Sequence, residues 1–165
     1  MYIRKTKMDD LDDVCDIYDY ARNYMKQNGN PEQWGNVHPP RDLIIKDIYA
    51  GNSYVCIDDD NNIIGVFYFN IEVDPTYTEI DGSWLNENEY GVIHRIAKAE
   101  NAGKGTGAFC INWCYEQHNN IRIDTHKDNI PMVKLLEKLG FSYCGIIWIE
   151  NGDERKAYQK VGFLG

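Results

Sequence analysis

Long apolar runs are missing from this sequence of 165 residues. No stretch approaches the roughly 20 apolar residues that a membrane-spanning helix needs. The first residues, Met1–Lys5, also lack the apolar core of a signal peptide. We therefore expect a cytoplasmic protein with no membrane partner.

Basic residues are in deficit, with 17 Lys and Arg against 26 Asp and Glu and a formal net charge of −9. No basic stripe emerges that could neutralise the phosphates of a nucleic acid. We expect no nucleic-acid partner.

Paired cysteines are also lacking, since the five cysteines form no CxxC motif and are odd in number. A zinc site would need a second ligand pair at a useful spacing, and a chain of this length needs no disulfide scaffold. We expect small apolar thiols in a reducing compartment and no bound metal.

What is present is a sequence of regular elements that fits one domain over residues 1–165. Apolar spacing and turn signals predict the order β-α-α-β-β-β-α-β-α-β-β, with a loop over residues 72–88. This order indicates an α/β fold with a mixed sheet of six to seven strands and about four helices. The sheet should be antiparallel at both ends and parallel only in the centre.

The centre of that order is one βαβ unit with a glycine-rich turn. A strand over Glu89–Lys98 leads into the turn Ala102-Gly103-Lys104-Gly105-Thr106-Gly107, a helix ends near His118, and a strand follows over Ile121–His126. Glycines at a strand-to-helix junction let the backbone approach a ligand, and the helix start favours a phosphate. The unit therefore predicts a phosphate-binding turn.

Two nucleotide motifs can be tested against this turn by spacing. A Walker loop fails because Gly105, not Ser or Thr, follows Gly103-Lys104. A dinucleotide fingerprint fits G-x-G-x-x-A, with Asp124 at about the expected ~20-residue separation. The run of parallel βαβ units that accompanies this fingerprint does not follow, which argues against it.

A family resemblance accounts for more of the chain. The turn, the strand before it, Asn129 and the helix ending Leu139-Gly140-Phe141 together resemble the acetyl-CoA-binding core of the Gcn5-related N-acetyltransferase (GNAT) superfamily. The element order matches nearly the whole chain. One departure is visible, because Ala102 stands where the family usually begins its turn with Arg or Gln.

The resemblance implies acetyl-CoA as the acyl donor and names the residues that would bind it. Backbone amides of the turn would hold the pyrophosphate, and Asn129 would contact the cofactor arm or cap its helix. The strand end Ile96-Ala97-Lys98 would bind the pantetheine arm and polarise the thioester carbonyl. The donor-binding set is then Ile96, Ala97, Lys98, Ala102, Gly103, Lys104, Gly105, Thr106, Gly107 and Asn129.

Catalytic candidates come from ionisable residues inside apolar strands. Asp124 is our first candidate for the amine base, followed by His94 and then His126. Arg122, Asp124 and His126 alternate onto one strand face, and an Arg122–Asp124 ion pair is the structural alternative. The family's usual general acid, a Tyr, matches Leu136 and is therefore absent.

The predicted activity is direct transfer of an acetyl group from acetyl-CoA to a primary amine. The alternative is a catalytically silent acyl-CoA-binding sensor or regulatory module. The expected acceptor is a small-molecule or peptide amine, contacted by residues 24–38 and 72–90, with Trp34, Tyr77 and Trp84 as wall residues or ordinary packing. A homodimer is left open.

Overall fold

The computed structural model describes residues 1–162 as one eight-stranded mixed sheet with two helices on each face. The strands are β1 Tyr2–Lys5, β2 Ser53–Ile57, β3 Ile63–Ile71, β4 Asp81–Gly82, β5 Gly91–Lys98, β6 Asn120–Thr125, β7 Ser142–Trp148 and β8 Glu154–Val161. The helices are α1 Leu11–Gln27, α2 Arg41–Tyr49, α3 Thr106–Gln117 and α4 Ile130–Lys138.

The sheet runs in the order β1-β2-β3-β5-β6-β8-β7-β4. Every neighbouring pair is antiparallel except β5 and β6, so the predicted mixed topology is confirmed. The predicted number of strands was one too low, because β4 lies in the segment that we expected to be only a loop. Two residues are too few to show a period-two pattern, so no sequence signal marks this strand.

Apolar spacing decides which helix faces are buried. In α1 the buried residues are Leu11, Val14, Ile17 and Tyr18, which recur at helical spacing. They pack with α2 and with alternate residues of β2 and β3 on one face of the sheet. Residues of α3 and α4 form a second cluster on the opposite face. A third, smaller cluster around Tyr77 and Tyr90 lies under the segment before β5.

The central parallel pair separates soon after it begins. Only Gly91 and Val92 of β5 are in register with β6, at Ile121 and Arg122. A register irregularity interrupts the pairing of β5 with β3 beside Arg95, whose φ is +50°. From this point to Lys98, β5 has no ladder partner on its β6 side. The strands therefore leave an open space between them at the carboxyl end of β5.

No helix within residues 1–162 is long and apolar enough to cross a membrane.

Candidate functional site

A groove of about 240 Å³ lies between the end of β5, the start of α4 and one side of α1. Its lining includes Ile96, Ala97, Lys98 and Ala102, which are four of the predicted donor-binding residues. The unpaired edge of β5 leaves backbone groups free beside this groove. An extended ligand could therefore add to this edge by strand-like hydrogen bonds.

The glycine turn stands at the amino end of α3. Gly105 caps the helix with φ +88°, a conformation that glycine adopts without penalty. Among the described residues, the amides of Gly103, Lys104 and Gly105 donate to no backbone carbonyl or side chain. Free amides and the helix dipole together suit an anionic ligand.

The rest of the turn is fixed by short contacts. The Thr106 hydroxyl donates to the Gly103 carbonyl at 2.9 Å and is buried. A Cβ atom on Gly107 would lie 3.2 Å from a methyl carbon of Leu135, so glycine allows α3 and α4 to approach closely. A Cβ on Gly103 or Gly105 would meet nothing within 4 Å, which leaves open space beside these two residues.

Asn129 is the amino cap of α4. Its side-chain oxygen accepts from the Met132 amide at 3.3 Å, and its amide nitrogen donates to Gln33 Oε1 at 3.0 Å. The predicted capping role is therefore present in the structure. Asn129 also lines the groove, so a ligand contact stays a prediction.

A larger cavity of about 700 Å³ adjoins the groove and shares Met25, Ile96, Asn129 and Met132 with it. The ionisable side chains of its wall come from α1–α2, β5, β6 and β8 and from the loops between them. They are Glu32, His38, Asp74, His94, Arg95, Asp124, Glu150 and Arg155. Two cavities that meet beside the free edge of β5 suit a reaction between two substrates.

His94 lies in the wall of this larger cavity and contacts two carboxylates. Its Nε2 is 2.6 Å from Asp74 Oδ2, and its Nδ1 is 4.0 Å from Asp124 Oδ1. Burial alone would raise the pKa of Asp74, but the hydrogen bond and charge of His94, with hydrogen bonds from Thr76, lower that pKa to about 2. Asp74 is therefore a fixed acceptor for an Nε2–H proton, which leaves Nδ1 of a neutral ring as an acceptor.

Asp124 is held from the other side by a buried tyrosine. The Tyr77 hydroxyl donates to Asp124 Oδ1 at 2.6 Å. Burial first, and then the charge of Asp124, raise the pKa of Tyr77 well above its ordinary value, so this hydroxyl keeps its proton. Asp74, His94 and Asp124 in the cavity wall thus form a chain of polar contacts with the buried Tyr77, which is not part of that wall; His94 and Asp124 are its most widely spaced pair.

The other histidines are less suited to accept a proton there. His126 follows the end of β6 and lies outside the lining of both cavities, with its Nδ1 accepting from the Asp128 amide at 3.0 Å. Burial lowers the pKa of His126. His38 does line the larger cavity, but burial lowers its pKa to about 4, which makes it a weak base.

The structural alternative for Asp124, an ion pair with Arg122, is wrong: no such pair occurs among the described residues. The Arg122 guanidinium stacks on Trp84 and Tyr90, with its carbon 4.2 Å and 4.0 Å from their ring centroids, and donates to the Asn86 carbonyl. Aromatic faces of the 72–90 segment therefore occupy this arginine and leave Asp124 free for Tyr77.

Leu136, at the usual tyrosine position, is wholly buried in the cluster under α3 and α4. No hydroxyl is available at that position. Tyr143 and Cys144, which follow the last helix, lie on β7 and line neither cavity, so they do not replace this proton donor.

Three polar residues of the site were not among the predicted catalytic or binding residues. Asp74 precedes Pro75, so the sequence indicates only a turn there, and Tyr77 was expected only as a possible wall residue. Arg155 carried no signal at all, because an arginine in a hairpin strand is ordinarily solvent-exposed. Within residues 1–162 no group of His, Cys, Asp and Glu side chains is arranged to hold a metal ion.

Comparisons with known proteins assign this chain to a family. The sequence model of the acetyltransferase (GNAT) family matches residues 16–141, more than half of the chain. No protein among curated sequences matches.

Solved structures give the same result. A GNAT-family acetyltransferase from Streptococcus agalactiae superposes with a TM-score of 0.89, at 30% identity over 98% of this chain and 95% of its own. A Staphylococcus aureus protein described as an acetyltransferase gives a TM-score of 0.71 at 24% identity, over 98% of this chain and 99% of its own. A Listeria monocytogenes GNAT acetyltransferase gives a TM-score of 0.72 at 19% identity, over 98% of this chain and 94% of its own. This chain belongs to the GNAT acetyltransferase family and is an acyltransferase.

Proposed function

We propose that this protein transfers the acetyl group of acetyl-CoA directly to a primary amine. The chain of contacts from Asp74 through His94 and Asp124 to Tyr77 carries the proposal, because it places proton acceptors beside the groove that suits the donor.

The groove and the glycine turn together support an acyl-CoA donor. Free amides at Gly103, Lys104 and Gly105 would hold its pyrophosphate, and the unpaired edge of β5 from Ile96 to Lys98 would hold the pantetheine arm. Acyl-CoA supplies an activated acyl group as a thioester. The absence of the family's Arg or Gln at Ala102 removes one side-chain contact and leaves the backbone contacts intact.

The acceptor amine must lose a proton before it can attack. His94 Nδ1 and Asp124 Oδ1 are 4.0 Å apart, too far to hydrogen bond to each other. One ammonium group can bridge two acceptors at this spacing. Asp124 then orients the ammonium, and His94 takes the proton while Asp74 stabilises the resulting imidazolium.

The transfer itself needs no covalent intermediate on the enzyme. The neutral amine nitrogen forms a bond to the acyl carbon, the carbon–sulfur bond breaks, and the electron pair leaves on the thiolate. The surplus proton on the acylated nitrogen passes to solvent, because His94 already carries the first proton. Since Leu136 offers no proton, water protonates the thiolate.

A second candidate function is an acyl-CoA-binding module that does not transfer. The buried Leu136 favours it, because the family's usual proton donor is missing from the site.

The two functions are separated by measuring thiol release from acetyl-CoA against a panel of primary amines, alongside acetyl-CoA binding by calorimetry. We expect binding and amine-dependent thiol release. Binding without release on any amine would favour the silent module, and no binding would contradict both.

A further inference from the structure

Arg155 is a buried arginine in the wall of the larger cavity. It belongs to β8 and is only 4% exposed. Its two terminal nitrogens donate to the backbone carbonyls of Glu154 at 2.9 Å and Gln33 at 3.1 Å. These contacts fix the guanidinium in place without neutralising its charge.

The charge of Arg155 has no carboxylate partner among residues 1–162, in contrast to the other arginine of the cavity wall. Arg95 forms a two-point ion pair with Asp47, at 2.9 and 3.0 Å. Arg155 takes part in none of the ion pairs of the described chain. Burial lowers the pKa of Arg155, and the charges of Asp124 and Asp153 offset this only in part. A buried charge without a counterion is costly unless a ligand supplies one.

Arg155 lies on the same face of the sheet as the proposed amine site. Asp124 of β6 is directly opposite Ala157 of β8, and Arg155 is two residues from Ala157. Side chains at such diagonal positions point to one face and are within reach of a shared small ligand. An anionic group on Arg155 would therefore leave an attached amine near Asp124 and His94.

Two further charges of the cavity wall restrict the chemical class of the acceptor. Glu32 and Glu150 line the cavity and are exposed, so they disfavour a molecule that is only anionic. A molecule with both a cationic amine and an anionic group satisfies Glu32, Glu150, Asp124 and Arg155 together.

We propose that the acetyl acceptor is a small amine that also carries a carboxylate, as an amino acid does, and that Arg155 binds this carboxylate. The proposal rests on the N-acetyltransferase function above. The planar guanidinium, held by two carbonyls, offers its remaining donors in a fixed orientation that suits carboxylate oxygens.

The test compares matched acceptors, each proteinogenic amino acid against its primary carboxamide, in wild-type enzyme and in Arg155→Met. In the wild type we expect a higher kcat/KM for at least one amino acid than for its amide. In Arg155→Met the ratio of the two should fall about 10- to 100-fold, the effect of losing a hydrogen-bonded charged group. The KM for acetyl-CoA and the Tm serve as folding controls.

Two further variants keep the test decisive. Arg41→Met removes an exposed arginine of α2 and should leave the ratio unchanged. Arg155→Lys keeps a charge without the planar donors and should restore part of the ratio, even if the methionine variant folds poorly. A ratio that is the same in wild type and Arg155→Met would overturn the carboxylate site.

The outcomes also separate this inference from the proposed function. Thiol release with amides as efficient as with every amino acid would refute the carboxylate site and leave N-acetyl transfer standing. A thermal shift with an amino acid, lost in Arg155→Met but without any thiol release, would support the site and refute the transfer.

Discussion

The groove and the larger cavity adjoin, but they are built from different parts of the chain. The proposed donor contacts are mainly backbone groups: the free edge of β5 beside the groove, and the free amides of the glycine turn, which stands outside the groove lining at the start of α3. The cavity is formed by side chains from distant segments, such as Asp74, Asp124 and Arg155. Donor binding should therefore tolerate side-chain replacement and be sensitive to changes in backbone conformation, and the cavity should do the opposite.

The largest effect is expected from His94→Gln in the cavity. Glutamine can still donate to Asp74 but cannot take a proton, so kcat should fall about 10²- to 10⁴-fold. The KM for acetyl-CoA should change little, because the groove does not include His94. Steady-state thiol-release kinetics measure both values.

His118→Gln is the matched control, since His118 is half-buried at the end of α3 and lines neither cavity. Its kcat should equal that of the wild type. A wild-type kcat in His94→Gln would show that His94 is not the base and would leave Asp124 alone in that role.

A smaller effect is expected on donor binding, from Gly105→Ala in the glycine turn. The left-handed conformation at φ +88° costs an alanine roughly 1–2 kcal/mol, and relaxation of the turn would displace the free amides. We expect about a tenfold rise in the KM for acetyl-CoA with kcat nearly retained.

Gly140→Ala matches this change in strain, because Gly140 also has φ +88° but follows the end of α4, outside the glycine turn. Both variants should lose similar stability by thermal melting, and only Gly105→Ala should raise the KM. Equal KM values in the two variants would remove the turn from donor binding.

Tyr77→Phe should have a moderate effect on turnover. It removes the hydroxyl that donates to Asp124, a hydrogen bond worth about 1.5–3 kcal/mol for a charged acceptor. Only the part of this energy that differs between the bound substrates and the transition state affects kcat. We expect a loss of about 3- to 10-fold in kcat. Tyr143→Phe, an exposed tyrosine on β7, is the control and should show no loss. If Tyr77→Phe lowered the stability of the fold but left kcat unchanged, Tyr77 would have a packing role only.

The smallest effect concerns stability at acid pH. The pKa of Asp74 is lowered to about 2 from an ordinary 3.8, so its ionised form stabilises the fold above pH 3.8. This contribution is lost as the pH falls from about 4 towards 2, and Asp74→Asn lacks it.

After allowance for solvent screening, the stability difference between wild type and Asp74→Asn should shrink by about 1 kcal/mol across this window. Urea unfolding at pH 5 and pH 3 measures it, with the exposed Asp60→Asn as control. A constant difference at both pH values would show that the Asp74–His94 bond does not stabilise the fold.

The fold was largely predictable because its signals are local. Apolar periods, the cap at Asn129 and the glycine turn each lie within a few residues of the element that they define. The exception was β4, where a Cβ on Gly82 would lie 2.1 Å from the Cys144 carbonyl oxygen. Such a close approach between distant segments leaves no periodic signal.

The cavity was less predictable for the same reason. Asp124 and His94 stood out because charged residues interrupt apolar strands. Their partners Tyr77 and Asp74 lie 47 and 20 residues away in sequence, on an irregular segment. The pairing of Arg122 with Asp124 was the nearest local option, and the aromatic rings of Trp84 and Tyr90 displaced it.

The two register positions that join β5 to β6 have a mechanical consequence. They connect two antiparallel halves, β1-β2-β3-β5 and β6-β8-β7-β4, so the seam between the halves is also where the two substrates would meet. A donor or acceptor that contacts both halves acts as a clamp across this seam. By mass action, a ligand at 100 times its Kd adds about 2.7 kcal/mol against unfolding. The two halves of the sheet would thus resist separation most while both substrates are bound. Once the substrates leave, the sheet would be weakest at the seam between β5 and β6, where the reaction takes place.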